Sequence, residues 1–158
     1  MFESTKRIST GVTEDYKLKK GADNSVTKNI TEKFIGALTE LESARDVEML
    51  VALFAVDCEV GNIVVSEKFQ GLEGVRRFWT HYRAAFNDVC SIFQNEVYSG
   101  NKAQLEWTTE GKSRNGRKIR YDGVSILETE NEKIKYFYAY FDTQILKKQF
   151  TGQIGDRA

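Results

Sequence analysis

The chain has 158 residues, 41% of them hydrophobic, and its acidic and basic side chains balance to a formal net charge of zero. This length and composition suffice for one domain with a sizeable core. Nucleic-acid-binding domains normally carry a basic surplus, and a bilayer span needs ~20 apolar residues, so neither class of protein is expected. The first residues lack the apolar core of a signal peptide, which predicts a cytoplasmic protein.

The residue types that most often build metal and redox sites are scarce. Cys58 and Cys90 lie far apart in the chain without metal-binding or redox spacing, which favours buried free thiols. The single histidine, His81, cannot supply the pair of imidazoles that a histidine-based metal centre needs. We therefore expect neither a metal nor another cofactor.

The two ends of the chain differ from its middle. Residues 1–25 are polar and lack periodicity, which predicts a flexible N-terminal arm. The alternative is a segment that reaches over a partner subunit. Residues 26–150 carry the periodic apolar patterns of a single domain, and residues 151–158 form a polar tail.

Three helices are predicted in the first half of this domain. Apolar residues recur at helical spacing over 30–41, with Asn29 and Glu32 as a capping pair, and again over 47–54. The third helix, over 71–87, has the broadest apolar face. That face carries Leu72, Val75, Phe78, Trp79, Tyr82, Ala85 and Phe86. By helical period, His81 lies at its edge, about 60° from Phe78.

Strands predominate after the third helix. Strands over 92–98 and 103–110 flank a turn at Gly100, and the Asn115–Gly116 pair is the strongest signal for a further hairpin. The last two strands lie within Arg117–Thr143. Helices followed by a meander of strands predict an α+β fold, in which one curved antiparallel sheet packs on three helices and encloses a cone-shaped pocket.

The final strand has apolar or aromatic residues on both faces. By the period of two, Phe137, Ala139 and Phe141 share one face, and Tyr136, Tyr138 and Tyr140 share the other. A row of tyrosines is too apolar to remain in water. We therefore expect the tyrosine face to form the interface of a homodimer.

Three stretches of the chain resemble the nuclear-transport-factor-2-like superfamily, in particular its SnoaL-like polyketide cyclase branch. They are ALTELESARDVEMLVALFAVDCEV, FQGLEGVRRFWTHYRAAF and, for the last strand, EKIKYFYAYFDTQIL, and the resemblance covers roughly residues 28–146. It implies a cone-shaped, commonly dimeric α+β domain with an internal pocket. The superfamily includes ketosteroid isomerases, aldol cyclases, epoxide hydrolases, dehydratases and non-catalytic binders, so the fold alone does not select an activity.

The catalytic positions of the resembled enzymes are not matched. Asn62 stands where steroid isomerases have a general-base aspartate, and an amide cannot take a proton from carbon. Phe34 and Val124 stand at the positions of the oxyanion-hole tyrosine and aspartate. Ala139 stands where SnoaL-like cyclases often carry an acid. The resemblance therefore implies a pocket without the known catalytic sets.

Two residues remain as candidates for proton transfer. Asp122 interrupts an apolar strand, and inside a pocket its pKa would rise, so that it could act as an acid or a base. Pairing with a nearby Arg or Lys is the structural alternative. His81 could carry a proton at the mouth of the pocket. The predicted ligand-binding residues are Phe34, Asn62, Phe78, Trp79, Tyr82, Val124, Phe137 and Phe141.

Three functions from different classes are compatible with these patterns. The first is a pocket that binds a small hydrophobic or aromatic molecule without catalysis. The second is an enzyme of the cyclase, isomerase or dehydratase kind that uses Asp122. The third is an association module whose sheet face is the functional surface. A buried acid in the pocket favours the enzyme, a carboxylate-free pocket the binder, and a filled core the module.

Overall fold

A computed structural model of the chain describes residues 24–152, so that the predicted arm and tail lie outside the described residues except at their inner ends. The elements in chain order are α1 over 24–44, α2 Glu48–Val51, β1 Phe54–Asn62, β2 Phe69–Gln70, α3 Gly71–Ala84, β3 Phe86–Ser99, β4 Lys102–Ser113, β5 Lys118–Glu130, β6 Lys133–Phe141 and α4 Thr143–Thr151. No helix in this part of the chain is long and apolar enough to cross a membrane.

The six strands form one sheet in the order β2-β1-β6-β5-β4-β3. Tight hairpins join β3 to β6 into an antiparallel meander, and the Asn115–Gly116 turn lies between β4 and β5 as predicted. β1 then pairs with the free edge of β6, and this pair is parallel. The predicted α+β fold of a curved sheet packed on helices is confirmed, with one parallel pair in the otherwise antiparallel sheet.

The first two helices differ from their predicted extents. α1 is already helical at residue 24, so Asn29 and Glu32 lie inside the helix and do not cap it. The second helix is a single turn, because Phe54 already begins β1. Asp46 precedes this turn and accepts a hydrogen bond from the backbone N–H of Glu48 at 3.0 Å, which is the capping contact that short polar side chains provide.

The last strand ends within the predicted stretch, and a fourth helix that the sequence analysis does not predict follows it. β6 stops at Phe141, and α4 begins at Thr143. The carboxylate of Asp142 accepts hydrogen bonds from the backbone N–H groups of Gln144 at 2.9 Å and Ile145 at 3.1 Å. This satisfies two of the free donors at the start of α4, so an N-cap ends the strand and begins the helix.

Two hydrogen bonds from one side chain hold α4 against β5. The backbone N–H of Arg120 in β5 donates to Oε1 of Gln149 at 2.8 Å, and Nε2 of Gln149 donates to the Arg120 carbonyl at 2.8 Å. Leu146 and Phe150 on the same helix reach the space between the sheet and α3. α4 therefore closes one side of that space.

Candidate ligand-binding cavity

A cavity of about 270 Å³ lies between the helices and the concave face of the sheet. It is larger than the ~150 Å³ apolar cavity that suffices for a benzene ring. Most of its wall is aromatic. The aromatic residues are Phe34, Phe69, Phe78, Trp79, Tyr82, Phe86, Phe93, Trp107, Tyr121, Phe137, Phe141 and Phe150. A wall of this composition favours a flat, largely apolar occupant.

Trp79 is the centre of the helical wall. The period of α3 turns it toward the sheet, where its ring centroid lies 5.8 Å from that of Phe34, 5.0 Å from Phe78 and 5.2 Å from Phe137. The side chain is buried, and its Nε1–H has no hydrogen-bond acceptor among residues 24–152. The ring is thus held by aromatic contacts, and its N–H is a buried donor without a partner in the described chain.

Trp107 forms part of the opposite wall, and a glycine makes room for it. The concave face carries a row of register partners, Phe93, Trp107, Gly123 and Phe141. A Cβ at Gly123 would lie 2.3 Å from a carbon of the Trp107 indole, so the ring lies directly over the glycine backbone. Its Nε1–H donates to Oγ of Ser125 at 2.9 Å. The indole is therefore fixed by the glycine backbone beneath it and by its hydrogen bond to Ser125.

The structure places most of the predicted site residues in the cavity wall. They are Phe34, Asn62, Phe78, Trp79, His81, Tyr82, Phe137 and Phe141. Oδ1 of Asn62 accepts from the backbone N–H groups of Val64 at 3.0 Å and Val65 at 3.2 Å, which turns the chain after β1. Its amide N–H₂ has no partner within the described chain and remains a donor for the cavity. His81 is exposed and lies at the rim.

The structure corrects the predicted positions of Asp122 and Val124. Asp122 is exposed on the outer face of the sheet and accepts a hydrogen bond from Oγ1 of Thr108 at 2.5 Å. Val124 is on the same outer face, opposite Tyr140 of β6. Because Tyr121 is buried against the cavity, the period of two sends its neighbours 122 and 124 outward and turns 123 and 125 inward.

The Arg or Lys partner considered for Asp122 is also absent among the described residues. Arg120, the nearest candidate on its strand, pairs with Glu110 of β4. Asp122 takes the hydroxyl of Thr108 in its place. Within residues 24–152, no group of three or more His, Cys, Asp or Glu side chains is arranged to hold a metal ion.

A buried carboxylate that the sequence prediction missed stands behind the cavity wall. Glu42, near the end of α1, is only 6% exposed. Its Oε2 accepts from the hydroxyls of Tyr82 at 2.6 Å and Ser91 at 2.7 Å, and its Oε1 accepts from the backbone N–H of Ser91 at 3.0 Å. Oγ of Ser91 is also 2.7 Å from Oγ1 of Thr109. We call Glu42, Tyr82, Ser91 and Thr109 the Glu42 cluster.

The Glu42 cluster meets the cavity through its hydroxyls. Tyr82, Ser91 and Thr109 line the cavity, as does Tyr121, which is the register partner of Thr109 on β5. Burial raises the pKa of Tyr82 well above its usual range, and the nearby charge of Glu42 adds to this shift. Burial and then Glu42 also raise the pKa of Tyr121. Both phenols are therefore neutral near pH 7, and both lie within the field of the carboxylate.

A buried guanidinium holds the backbone around this cluster. Arg83 of α3 is 6% exposed, although helical period places it away from the apolar face. It donates to the carbonyls of Glu42 at 3.0 Å, Phe86 at 2.9 Å and Asn87 at 3.2 Å. These bonds tie the end of α1 to the start of β3, and so fix Glu42 relative to the strand that carries Ser91.

The sequence contains a signal for the residues that were missed. Phe34, Leu38 and Glu42 follow one another at i, i+4 and i+8, so Glu42 continues the apolar stripe of α1. Ser91 and Thr109 occupy inward positions of strands whose other inward positions are apolar, such as Phe93 and Trp107. A polar residue at a core position of a periodic pattern indicates a buried hydrogen-bond network.

The fold and the cavity together define a nuclear-transport-factor-2-like α+β cone that encloses an apolar pocket. Residues 33–137 match the model of the SnoaL-like domain, which is more than half of the chain, and the protein belongs to this family. No curated protein matches the sequence.

Solved structures share the fold at low sequence identity. A protein of Jannaschia sp. assigned as a SnoaL-like polyketide cyclase has a TM-score of 0.72 at 7% identity, over 81% of this chain and 93% of that one. A nuclear-transport-factor-2-like protein of unknown function from Burkholderia pseudomallei has a TM-score of 0.70 at 18% identity, over 80% and 98%. An LEH-like epoxide hydrolase of M. tuberculosis has a TM-score of 0.61 at 16% identity, over 84% and 98%.

Proposed function

We propose that the protein binds a small, flat, largely apolar molecule inside the cone, without acid–base catalysis by Asp122. The observation that carries this proposal is an aromatic cavity of about 270 Å³ with a few hydroxyls in its wall. Asp122 is outside this cavity. Glu42 does not line the cavity and is separated from it by the hydroxyls of Tyr82 and Ser91, which donate to it.

His81 and Asn62 have lesser parts in this proposal. Asn62 offers its free amide N–H₂ as an orienting donor. The role of His81 as a proton carrier at the rim stays a prediction, and so does the cytoplasmic location of the protein. Neither residue completes a catalytic pair with a carboxylate in the cavity wall within the described chain, so binding is the function that the geometry supports best.

A second proposal, association through the outer sheet face, is favoured by the tyrosine row of β6. The rings of Tyr136 and Tyr138 stack at 6.3 Å with an interplanar angle of 12°, and Tyr140 continues the row at 4.8 Å. The ammonium group of Lys68 lies over the first two rings, and Tyr140 is 47% exposed. Ordered, partly exposed aromatic rows of this kind suit a second copy of the chain.

Naphthalene is a direct probe of the cavity. We expect isothermal titration calorimetry to show one site per chain, and the melting temperature to rise with naphthalene concentration because the ligand binds the folded state. Ala139→Leu adds side-chain volume inside the cavity and should abolish both effects. Val124→Leu adds volume on the outer face of the neighbouring strand and is the matched control.

Two results would contradict the binding proposal. One is an unchanged melting temperature of the wild-type chain at the solubility limit of naphthalene. The other is equal binding by the wild type and by Ala139→Leu, since the site would then lie elsewhere on the surface. Loss of binding in Val124→Leu as well would indicate a general disturbance of the sheet.

A further inference from the structure

The hydrogen atoms of the Glu42 cluster have one consistent arrangement. Each hydroxyl has a single hydrogen to donate, while a carboxylate only accepts. The hydroxyls of Tyr82 and Ser91 lie 2.6 and 2.7 Å from Oε2 of Glu42, and at these distances both must donate to it, since otherwise lone pairs would face each other. The hydrogens of Tyr82 and Ser91 are therefore both committed to Glu42.

This commitment sets the direction of the next bond. Oγ of Ser91 is 2.7 Å from Oγ1 of Thr109, and Ser91 has no second hydrogen, so Thr109 must be the donor. All three hydroxyl hydrogens thus run toward the buried carboxylate. What Tyr82 and Thr109 retain for the cavity is oxygen lone pairs, and both can only accept a hydrogen bond from an occupant.

Tyr121 supplies a hydrogen-bond donor to the same cavity in which Tyr82 and Thr109 are acceptors. It is 8% exposed, lines the cavity and pairs in register with Thr109 across β4 and β5. Its hydroxyl makes no hydrogen bond to any residue of the described chain and keeps its proton at neutral pH. This hydroxyl is reached from the cavity, so its hydrogen is available to an occupant.

From this juxtaposition we infer that the ligand of the cavity is an aromatic or other flat apolar molecule with a hydroxyl group. The hydroxyl donates its hydrogen to the lone pairs of Tyr82 or Thr109 and accepts the hydrogen of Tyr121. A group that both donates and accepts at one atom satisfies both sides, whereas an ether, a halide or a bare ring satisfies at most one. This inference rests on the proposed function and narrows the ligand class.

The test compares 2-naphthol with 2-fluoronaphthalene, whose substituent is of similar size, cannot donate a hydrogen bond and accepts one only weakly. Binding of each probe to the wild-type chain is measured by calorimetry, with naphthalene as the reference. Since each net hydrogen bond contributes about 0.5–1.5 kcal/mol, we expect 2-naphthol to bind roughly tenfold more tightly than 2-fluoronaphthalene. The ratio of the two dissociation constants within one variant does not depend on its folded fraction.

Side-chain variants then assign this preference to its source. Tyr121→Phe removes one donor and Thr109→Val removes one acceptor, so each should lower the ratio roughly threefold. Thr108→Val removes the same hydroxyl one residue earlier on the outer face and should leave the ratio unchanged. Glu42→Gln keeps every hydroxyl but places an amide N–H₂ among them, which releases their hydrogens toward the cavity. This variant should lower the ratio to the part that Tyr121 contributes, roughly threefold.

The outcomes separate this inference from the proposed function. Tight binding of naphthalene with equal affinity for the two substituted probes overturns the hydroxyl inference and leaves the binding proposal intact. Binding of none of the three probes overturns both. A tenfold preference that survives both Tyr121→Phe and Thr109→Val shows that the hydroxyl is recognised elsewhere, and this also overturns the assignment.

Discussion

Gly123→Ala is a stability experiment whose sign depends on the position of Trp107. By backbone preference alone, alanine should stabilise a strand by about 0.5–1 kcal/mol relative to glycine. In the structure, however, a Cβ at this position lies 2.3 and 2.4 Å from two carbons of the Trp107 indole and 2.6 Å from the carbonyl oxygen of Tyr140. Ordinary carbon–carbon contacts are about 3.5–4.0 Å, so either the ring or the strand must move.

The cost follows from what the indole loses when it moves. Its 2.9 Å hydrogen bond to Ser125 is worth about 0.5–1.5 kcal/mol. Its edge contact with Tyr121, at a centroid distance of 5.4 Å, is worth a similar amount, about 0.5–1.5 kcal/mol. After the gain in backbone preference, Gly123→Ala should destabilise the domain by about 1 kcal/mol and lower the melting temperature by about 2–4 °C.

Gly36→Ala is the matched control, because a Cβ at Gly36 meets nothing within 4 Å. Gly36 lies inside α1, and alanine there should stabilise the domain by about 0.8–1 kcal/mol. Urea unfolding measures both variants, and near-ultraviolet circular dichroism should report a displaced Trp107 only in Gly123→Ala. If Gly123→Ala stabilises the chain as Gly36→Ala does, Trp107 does not lie over the glycine, and the position described for it in the cavity wall is wrong.

Three further predictions concern the outer face and the buried phenols. Tyr138→Glu should change sedimentation from twice the chain mass to the monomer mass, and a wild-type monomer at high micromolar concentration would refute the dimer. Asp122→Asn keeps an acceptor for Thr108, so the free energies of unfolding and of naphthalene binding should stay within about 0.5 kcal/mol of the wild-type values. A selective loss of binding would restore a role for this carboxylate. Tyrosines of the unfolded chain ionise near pH 10, whereas Tyr82 and Tyr121 keep raised pKa values when folded. Stability present below about pH 10 is therefore lost as the pH rises, and Tyr121→Phe should flatten this loss in alkaline unfolding curves.

The elements that were correctly predicted are those whose signals are local. The apolar face of α3 repeats over four turns, and in the turn at Asn115–Gly116 the glycine has a φ of 84°, which glycine adopts without strain. The alternation of β6 also separates its two faces correctly. Each of these patterns is satisfied by residues close in the chain, so one sequence is enough to recognise it.

The face of β5 could not be decided in the same way. Its apolar residues occupy both faces, because Val124 and Ile126 pack outward beside the tyrosine row while Leu127 is buried. The strand is therefore compatible with either orientation. The choice is made by register, in which Tyr121 lies opposite Thr109 and faces the cavity. A one-residue difference in that register would move the Asp122 side chain from the outer face to the cavity face. The enzymatic hypothesis depends on the cavity face and therefore fails with the observed register.

The polar part of the cavity depends on contacts between residues that lie far apart in the sequence. Glu42 is separated by 40 residues from Tyr82 and by 49 from Ser91, and only the folded chain brings the three together. Periodicity can show that Glu42 is buried, but it does not show which hydroxyls Glu42 orients. In the proposed function, the aromatic wall, which follows from local patterns, specifies only a flat apolar ligand. The polar group that we infer for this ligand depends on the long-range pairings of the Glu42 cluster.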